Sequence, residues 1–269
     1  MKLTLPSQTS KSALPFSVWG AYSVWRRHAS VYLSTWRVNF LPPISEPLFY
    51  LMAFGLGLSP IVGDLTYLGQ DVPYLKFLAP GTIALGVLFQ SFFEGAYGSF
   101  IRLNFQRTWQ ALLTAPLTFT DVFMGDWLWA MTRGAIAGVV TSIVTVLFGL
   151  YPWWGMVVTF PVIVACGLLF GALGLYTAGI VRTIDQINVP VFLLLIPMFT
   201  LSGVYFPRET LPTALNWIAT VLPLAGAIDL IRWPMGLPTW WPVQLVWLVG
   251  LTAIAAWLAW GQIHSKLFG

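Results

Sequence analysis

Six long apolar runs, separated by short polar or proline-rich stretches, make up most of the chain. A helix needs about 20 apolar residues to cross the roughly 30 Å hydrocarbon core of a bilayer. By this measure the runs predict spans at residues 41–58, 77–100, 122–150, 156–181, 187–206 and 241–263. The predicted fold class is therefore an all-α integral membrane protein, in which residues 1–269 form a single transmembrane domain.

The stretch before the first predicted span interleaves aromatic and basic residues. At about 100° per residue, residues 16–38 form an amphipathic helix whose aromatic face includes Trp25 and Trp36. Tryptophan favours the headgroup level of a bilayer, and Arg26 and Arg27 would meet anionic lipid. We therefore predict an interface helix that lies along the membrane. The same pattern also fits a peripheral helix packed against the protein's own bundle.

Residues 104–120 interrupt the apolar pattern between the second and third predicted spans. The first part has good helix formers up to Ala115, and Pro116 ends that helix. Thr118 and Asp121 have the spacing of a capping box that opens the next helix. A short helix, a proline corner and a new helix start are therefore predicted.

Two further breaks have different compositions. Residues 59–75 contain several glycines, prolines and aspartates, which predicts a turn-rich polar loop. Residues 207–238 are apolar, but prolines such as Pro212 and Pro223 cut them into runs of about a dozen residues, too short to cross a bilayer. Short re-entrant or interfacial helices are predicted there.

Basic residues are concentrated on one side of this topology, which six spans make the side of both termini. That side carries Lys2, Lys11, Arg26, Arg27, Arg37, Arg102, Arg107, Arg182 and Lys266, and the other carries Lys76, Arg208 and Arg232. Positively charged loops stay in the cytoplasm. Both termini and residues 104–120 are therefore predicted to be cytoplasmic, and residues 59–75 and 207–238 to lie on the outer face.

Three ionisable residues within the predicted spans need partners or water, because a charge near mid-bilayer costs at least about 2.5 kcal/mol. They are Glu46, Glu94 and Arg133. Glu94 and Arg133 fall near the same side of adjacent spans, so an ion pair between them is predicted. Such a pair would orient the two helices or form a polar wall for a hydrophilic substrate head. His28, with no second ligand nearby in the sequence, is expected at the surface.

Aromatic residues cluster in the same two spans. They could stack on sugar faces or simply pack the bundle. The residues concerned are Phe89, Phe92, Phe93, Tyr97, Trp127 and Trp129.

Composition supports the membrane assignment and narrows the function. The chain is 58% hydrophobic and 8% charged, with a net charge of +4 spread over few residues, so nucleic acid is not indicated. The one cysteine, Cys166, excludes an intrachain disulfide. No glycine-rich nucleotide loop, metal-ligand spacing or catalytic constellation is visible. A transport function would therefore draw its energy from a partner.

Several segments occur in an order and spacing typical of one family. They are residues 41–50, 77–81, 89–100, 108–117, 201–207 and 223–232. Through them the chain resembles the ABC-2 type export permeases, and among these the permease subunit of nodulation lipo-oligosaccharide exporters. The outer part of the resemblance includes Gly203, Pro207, Pro223, Asp229 and Arg232. Gly226 departs from it, since many members have a polar residue there, often histidine.

The resemblance implies a half-transporter that forms a homodimer in the bacterial inner membrane and pairs with two copies of a cytoplasmic ABC ATPase. ATP and magnesium would be bound by that ATPase, and this chain would bind no cofactor or metal and catalyse no reaction. Residues 104–120 would then be a coupling helix docked in a groove of the ATPase, and the interface helix would also touch it. The coupling residues would be Phe105, Arg107, Trp109, Leu112 and Pro116.

The function that follows is export of an amphiphilic lipo-oligosaccharide or lipid-linked glycan, with its apolar chain near membrane lipids and its sugar near the dimer axis. A multidrug or antibiotic exporter of the same family is the alternative. From another class, the alternatives are a membrane assembly factor that moves no substrate, or an intramembrane enzyme. Failure to co-purify with an ATPase would favour the assembly factor. A catalytic constellation would favour the enzyme, and none is visible.

Overall fold

A computed structural model of the chain describes residues 16–237 and 240–269. Lys2, Lys11 and Pro238, the last residue of the predicted outer segment, lie outside the described residues. The described part contains six helices long and apolar enough to cross a membrane. These spans are Trp36–Val62, Tyr74–Phe105, Phe119–Leu147, Trp153–Ile180, Ile184–Leu201 and Trp241–Phe268. The all-α membrane fold class is confirmed.

The first and fifth spans are interrupted helices. The first consists of Trp36–Asn39, Leu41–Met52, a π-helical turn at Ala53–Leu58, and Ser59–Val62. The fifth consists of Ile184–Ile187, Asn188–Pro190, a π-helical turn at Val191–Leu195, and Ile196–Leu201. Prolines interrupt both sequences, and a proline inside a helix removes one backbone hydrogen bond. Few side chains of these two spans are buried, in contrast to the second span.

The second, third and fourth spans form the centre of the bundle. The second and fourth approach closely through glycines: a Cβ on Gly95 would lie 2.6 Å from the backbone oxygen of Gly171, and one on Gly174 would lie 2.4 Å from that of Phe92. Small residues allow such contact between membrane helices, where packing rather than hydrophobicity drives association. The small-residue stripe of the fourth span therefore sets the position of the second.

Residues 59–75 are more ordered than the predicted polar loop. Strands Asp64–Tyr67 and Gln70–Pro73 pair antiparallel as a hairpin. Leu68 and Gly69 connect them with φ values of 50° and 78°, the left-handed conformation that a two-residue hairpin turn requires. The prediction of a loop was wrong because only Gly69 of this pair signals such a turn. We call this end of the bundle the hairpin end.

The outer segment also lies at the hairpin end. A short 3₁₀ turn at Arg208–Thr210 leads to helix Thr213–Val221, and then to helix Pro223–Arg232, which continues as a 3₁₀ turn at Trp233–Met235. The axes of Thr213–Val221 and Pro223–Met235 meet at 80°. Pro223 stands in the first turn of its helix, where its missing N–H costs no hydrogen bond.

The N-terminal helix spans Val18–Ser34 and packs along the start of the third span. A Cβ on Gly20 would come within 2.8 Å of Asp121, and one on Gly125 within 2.5 Å of Val24. The buried face is therefore the one that carries Gly20 and Val24. The predicted aromatic face is not preserved, because the helix ends at Ser34 and Trp36 belongs to the first span. The arrangement corresponds to the peripheral helix packed on its own bundle.

The predicted coupling segment is shorter than residues 104–120. The second span continues through π-helical turns at Glu94–Gly98 and Ile101–Phe105, and Arg107 then takes the left-handed conformation, with a φ of 51°. A short helix, Thr108–Leu112, follows. Six residues then lead to the third span at Phe119. We call this end of the bundle, opposite the hairpin, the N-terminal end.

The predicted capping box at the start of the third span is present. The Asp121 backbone N–H donates to the Thr118 hydroxyl over 3.2 Å, and the Asp121 carboxylate accepts from the Thr118 N–H over 2.9 Å. Its second oxygen accepts from the Ser17 N–H over 2.8 Å. One carboxylate thus caps the third span and holds the beginning of the N-terminal helix.

Candidate functional site

Asp126 is the centre of a buried group of charges at the N-terminal end. It is fully buried, and its Oδ1 lies 2.9 Å from His28 Nε2 and 2.9 Å from Arg102 Nε. Its Oδ2 accepts hydrogen bonds from the Ser99 hydroxyl over 2.8 Å and from the Trp109 indole over 3.2 Å. One carboxylate of the third span thereby connects the N-terminal helix, the second span and the short helix.

Glu94 is the second acid of this group. Its Oε1 accepts from Arg102 Nη1 over 2.7 Å and from the Trp129 indole over 3.0 Å, and its Oε2 lies 3.7 Å from Arg133 Nε. The predicted contact between Glu94 and Arg133 is present, but Arg102 is the closer partner of Glu94. We call His28, Glu94, Arg102, Asp126 and Arg133 the charge cluster.

The position of the cluster along the helices lowers the free-energy cost of its buried charges. At a rise of about 1.5 Å per residue, Glu94 lies roughly 30 Å along the second span from Tyr74. This distance matches the hydrocarbon thickness of a bilayer, about 30 Å. The cluster therefore stands near the headgroup boundary of the N-terminal end rather than at the membrane centre, where ionised side chains are most costly.

Two sequence-based expectations are corrected by this cluster. His28 is 6% exposed and paired with Asp126, so it is not a surface residue. Arg102 is 9% exposed and bonded to two carboxylates, so it is not a free basic residue of a loop. Sequence reasoning missed both because the second span was ended at residue 100 and because Asp126 was not counted among the buried charges.

The predicted coupling residues do not share one exposed face. Phe105 is 67% exposed and Arg107 is exposed, whereas Trp109 is 1% exposed with its indole bonded to Asp126. Leu112 is half-buried and Pro116 is exposed in the turn before the third span. Trp109 thus faces the bundle and cannot insert into a groove on another protein, contrary to the expectation from its spacing to Phe105 and Leu112.

The predicted interface residues are divided in the same way. Trp25 donates its indole N–H to the Thr132 hydroxyl over 2.9 Å, so it packs on the third span. Arg26 and Arg27 are exposed, and Trp36 is 55% exposed at the start of the first span. Only part of the predicted set is therefore free to meet lipid or a partner.

A continuous row of aromatic rings crosses three spans, and we call it the aromatic ribbon. Successive ring centroids lie between 5.1 and 6.4 Å apart. Its members are Tyr50, Phe54, Tyr205, Phe199, Phe89, Phe93 and Tyr97. All are at least partly exposed, on the surface formed by the first, second and fifth spans.

The ribbon includes three of the six aromatic residues singled out from the sequence, Phe89, Phe93 and Tyr97. The other three are structural: Phe92 is fully buried, and the Trp127 indole donates to the Leu168 carbonyl over 2.8 Å. Trp129 donates to Glu94 in the charge cluster. The four-residue spacing of Phe89, Phe93 and Tyr97 places them on one helix face, but the spacing does not show which faces the neighbouring helices cover.

Glu46 lies beside the ribbon on the first span, one helical turn before Tyr50. It borders a groove with Phe49, Tyr50 and Phe54 and is partly exposed. Within residues 16–237 and 240–269, Glu46 makes no hydrogen bond or ion pair. Three charged residues were predicted within the spans, and Glu46 is the one that lies outside the charge cluster.

Arg232 holds the outer segment in place at the hairpin end. It is 1% exposed, and its Nη2 donates to the carbonyl oxygens of Gly203 over 2.7 Å and Phe77 over 3.2 Å. Its guanidinium carbon stands 4.0 Å from the centre of the Phe77 ring. Gly203 has a φ of 79°, which favours glycine. These residues of the family pattern are therefore structural, and Pro207 is buried beside them.

Asp229 forms a second polar contact in the outer segment. It pairs with Arg208 and accepts a hydrogen bond from the Gln244 amide over 2.9 Å. Burial by itself would lower the pKa of Arg208, but Asp229 and Tyr67 together outweigh that effect and the pKa is raised. A Cβ on Gly226 would lie 3.7 Å from Gln244, so a side chain could be accommodated there.

Six spans, an N-terminal helix and a short polar helix between the second and third spans define a multi-pass membrane protein of the permease class. The family model of the ABC-2 type transporter matches residues 21–235. This chain belongs to that family and is a permease subunit of a transporter. Members of this class work with an ABC ATPase and form the membrane part of the transporter.

Individual relatives agree with this assignment. Nodulation protein J of Rhizobium leguminosarum bv. viciae is 36% identical over 210 residues, which cover 78% of this chain and 80% of the relative. Nodulation protein J of Rhizobium meliloti (strain 1021) is 33% identical over 221 residues, 82% of this chain and 83% of the relative. Inner membrane transport permease YadH of Escherichia coli (strain K12) is 24% identical over 78% of this chain and 80% of its own length.

Proposed function

We propose that this permease exports an amphiphilic, glycan-bearing lipid such as a lipo-oligosaccharide across the bacterial inner membrane, with both of its termini in the cytoplasm. It acts as a homodimer joined to two copies of a cytoplasmic ABC ATPase. ATP and magnesium are bound by the ATPase, and this chain carries no catalytic residues and binds no metal. Membrane lipids surround the dimer and contact the apolar chain of the substrate.

The aromatic ribbon is the observation that supports this substrate class. Sugar rings stack on aromatic faces, which combine apolar surface with, for tyrosine, a polar group. A row of such faces on an exposed surface of the bundle offers successive stacking positions while the lipid chain stays in the bilayer. Glu46 stands beside this row with no partner in the described part of the chain and can accept hydrogen bonds from sugar hydroxyls. The similarity to Nodulation protein J over about four-fifths of the chain supports the same class.

A second copy of the chain would cover the same surface. Few side chains of the first and fifth spans are buried, and the ribbon runs between them. Pairing two such surfaces would place the two ribbons on either side of the dimer axis. Alternating opening of that axis, driven by closure of the ATPase dimer, would then move the substrate.

Coupling to the ATPase is assigned to the exposed part of the turn before the third span. Phe105 and Arg107 project from it and are free to contact another protein. The buried indole of Trp109 joins this turn to Asp126, so a push on the turn is transmitted to the third span and, through His28, to the N-terminal helix. The exposed Pro116 bounds the same turn on the side of the third span.

A transport assay with one matched pair of variants tests the substrate class. The permease and its ATPase would be reconstituted in proteoliposomes, and export of a fluorescent lipo-oligosaccharide would be followed with Phe93→Ala and Phe192→Ala. Phe93 belongs to the ribbon, whereas Phe192 is an exposed phenylalanine of the fifth span outside it. We expect Phe93→Ala to lower the rate several-fold and Phe192→Ala to leave it near that of the unmodified protein.

The same assay separates the main alternative. If an apolar drug without sugar is exported and the lipo-oligosaccharide is not, the protein is a multidrug exporter of the same family. Equal loss of lipo-oligosaccharide export in both variants would show that the ribbon is not the sugar path.

A further inference from the structure

A cavity of about 400 Å³ opens beside the charge cluster, between the N-terminal helix and the second and third spans. Three arginines line it, Arg27, Arg102 and Arg133, together with one carboxylate, Glu94. Apolar side chains of Val31 and Ile101 complete part of the wall. The cavity thus combines an excess of positive charge with apolar surface, as a binding site for the polar end of an amphiphile would.

The arginines of the cavity are not all paired with acidic groups in the described part of the protein. Arg102 is bonded to both Glu94 and Asp126. Arg133 stands 3.7 Å from Glu94 and donates one hydrogen bond to Gln90 over 3.2 Å, which leaves its Nη1 without a hydrogen-bond partner among the described residues. Arg27 is exposed at the mouth and makes no ion pair or hydrogen bond within that part of the chain. Two guanidinium groups can therefore receive an anion.

The level of the cavity selects the kind of anion. Glu94, which lines it, lies roughly 30 Å along the second span from Tyr74, one hydrocarbon thickness from the opposite end. Phosphate groups of membrane lipids occupy that level, and arginine is suited to bind them because its planar fork donates two parallel hydrogen bonds. Basic residues at this depth also attract anionic lipids electrostatically.

We propose that this cavity binds the phosphate group of an anionic lipid headgroup from the membrane leaflet at the N-terminal end, held between Arg27 and Arg133. The bound phosphate joins the N-terminal helix to the third span next to the His28–Asp126 contact, since His28 also lines the cavity. Val31 and Ile101 contact the glycerol portion. This site is separate from the aromatic ribbon, so its occupancy does not depend on which substrate is exported.

Lipid retention measured by native mass spectrometry tests the proposal. The permease, purified together with its ATPase in detergent, would be incubated with phosphatidylglycerol or with phosphatidylcholine, and the bound lipids counted. We expect preferential retention of phosphatidylglycerol, reduced several-fold in Arg27→Gln. Arg26→Gln is the matched control, because Arg26 is also exposed, adjacent in sequence and outside the cavity lining.

Further arms of the experiment distinguish the source of the phosphate and the competing explanations. Displacement of the lipid by millimolar inorganic phosphate would identify a soluble phosphate as the ligand of the same two arginines. Resistance to inorganic phosphate would identify the lipid itself. Equal retention of phosphatidylcholine, or equal losses in Arg26→Gln and Arg27→Gln, would overturn the proposal. A loss of ATPase stimulation in Arg27→Gln with unchanged lipid retention would assign Arg27 to the ATPase contact and overturn it as well.

Discussion

The indole N–H of Trp109 donates a hydrogen bond to the buried carboxylate of Asp126 over 3.2 Å. The short helix Thr108–Leu112 is thereby fixed to the third span from inside the protein. A surface that receives a push from another protein must pass it on through a stiff contact, and this buried bond provides one. If this turn docks on the ATPase as proposed, coupling depends on two sets of residues, exposed ones that meet the ATPase and buried ones that hold the turn.

Exposed and buried residues of the turn should respond differently to alanine. Phe105→Ala removes an exposed ring, so we expect the free energy of unfolding to change by less than about 0.5 kcal/mol while ATPase stimulation by the permease falls. Trp109→Ala removes a buried ring and should cost about 3 to 5 kcal/mol of stability. Thermal unfolding in detergent and ATPase assays of the reconstituted complex measure the two effects. Normal ATPase stimulation in Phe105→Ala would contradict the docking role.

Neutralising Asp126 should destabilise the whole N-terminal end. Asp126→Asn leaves His28 and Arg102 without their shared anion, and breaking a buried ion pair typically costs about 3 to 5 kcal/mol. Asp64→Asn, at an exposed aspartate of the hairpin, is the control and should stay within about 0.5 kcal/mol. Melting temperatures in detergent give the comparison. Similar values for the two variants would show that Asp126 does not hold the N-terminal helix, the second span and the short helix together.

Exchanging the charges of Glu94 and Arg133 should not restore function. An arginine at position 94 would face Arg102, which now lies 2.7 Å from the Glu94 carboxylate, so two like charges would meet. We expect both single variants and the double exchange Glu94→Arg with Arg133→Glu to be inactive in transport and less stable. Recovery of activity in the double exchange would show that Glu94 and Arg133 act as an isolated pair.

The N-terminal helix depends on glycine for its position. Gly125→Ala would bring a methyl group to 2.5 Å from Val24 Cβ and 2.8 Å from the Ala21 oxygen, an overpacking that costs about 1 to 3 kcal/mol. We expect faster hydrogen exchange over Val18–Ser34. The control is Gly261→Ala in the sixth span, where a Cβ meets no atom within 4 Å. Unchanged exchange in Gly125→Ala would show that the helix can shift without loss.

Arg232 should resist replacement by another basic residue. Lysine keeps the charge of Arg232 but loses the planar group that lies over Phe77 and the paired donation to the Phe77 and Gly203 carbonyls. We expect Arg232→Lys to lose about 1 to 3 kcal/mol and to raise hydrogen exchange in helix Thr213–Val221. Arg182→Lys, at an exposed arginine, should behave like the unmodified protein.

Local patterns were enough to predict part of the site. Thr118 and Asp121 form the capping box expected from their spacing, and the short helix before Pro116 is present. Phe89, Phe93 and Tyr97 lie on a partly exposed surface, but Phe92 and Trp129 of the same predicted set are buried. A helical period gives the face on which a residue lies, and it does not say which face the neighbouring helices cover.

The sequence by itself determined that this protein spans a membrane, because runs of about 20 apolar residues match the hydrocarbon thickness of a bilayer. It also determined the six spans and, through ordered short segments, the transporter family. Only the tertiary structure decided that His28 and Arg102 meet at Asp126, and that Trp109 faces inward. The physical reason is that these partners come from helices far apart in the chain, and close approach through Gly20, Gly95 and Gly125 sets which charges share a buried site.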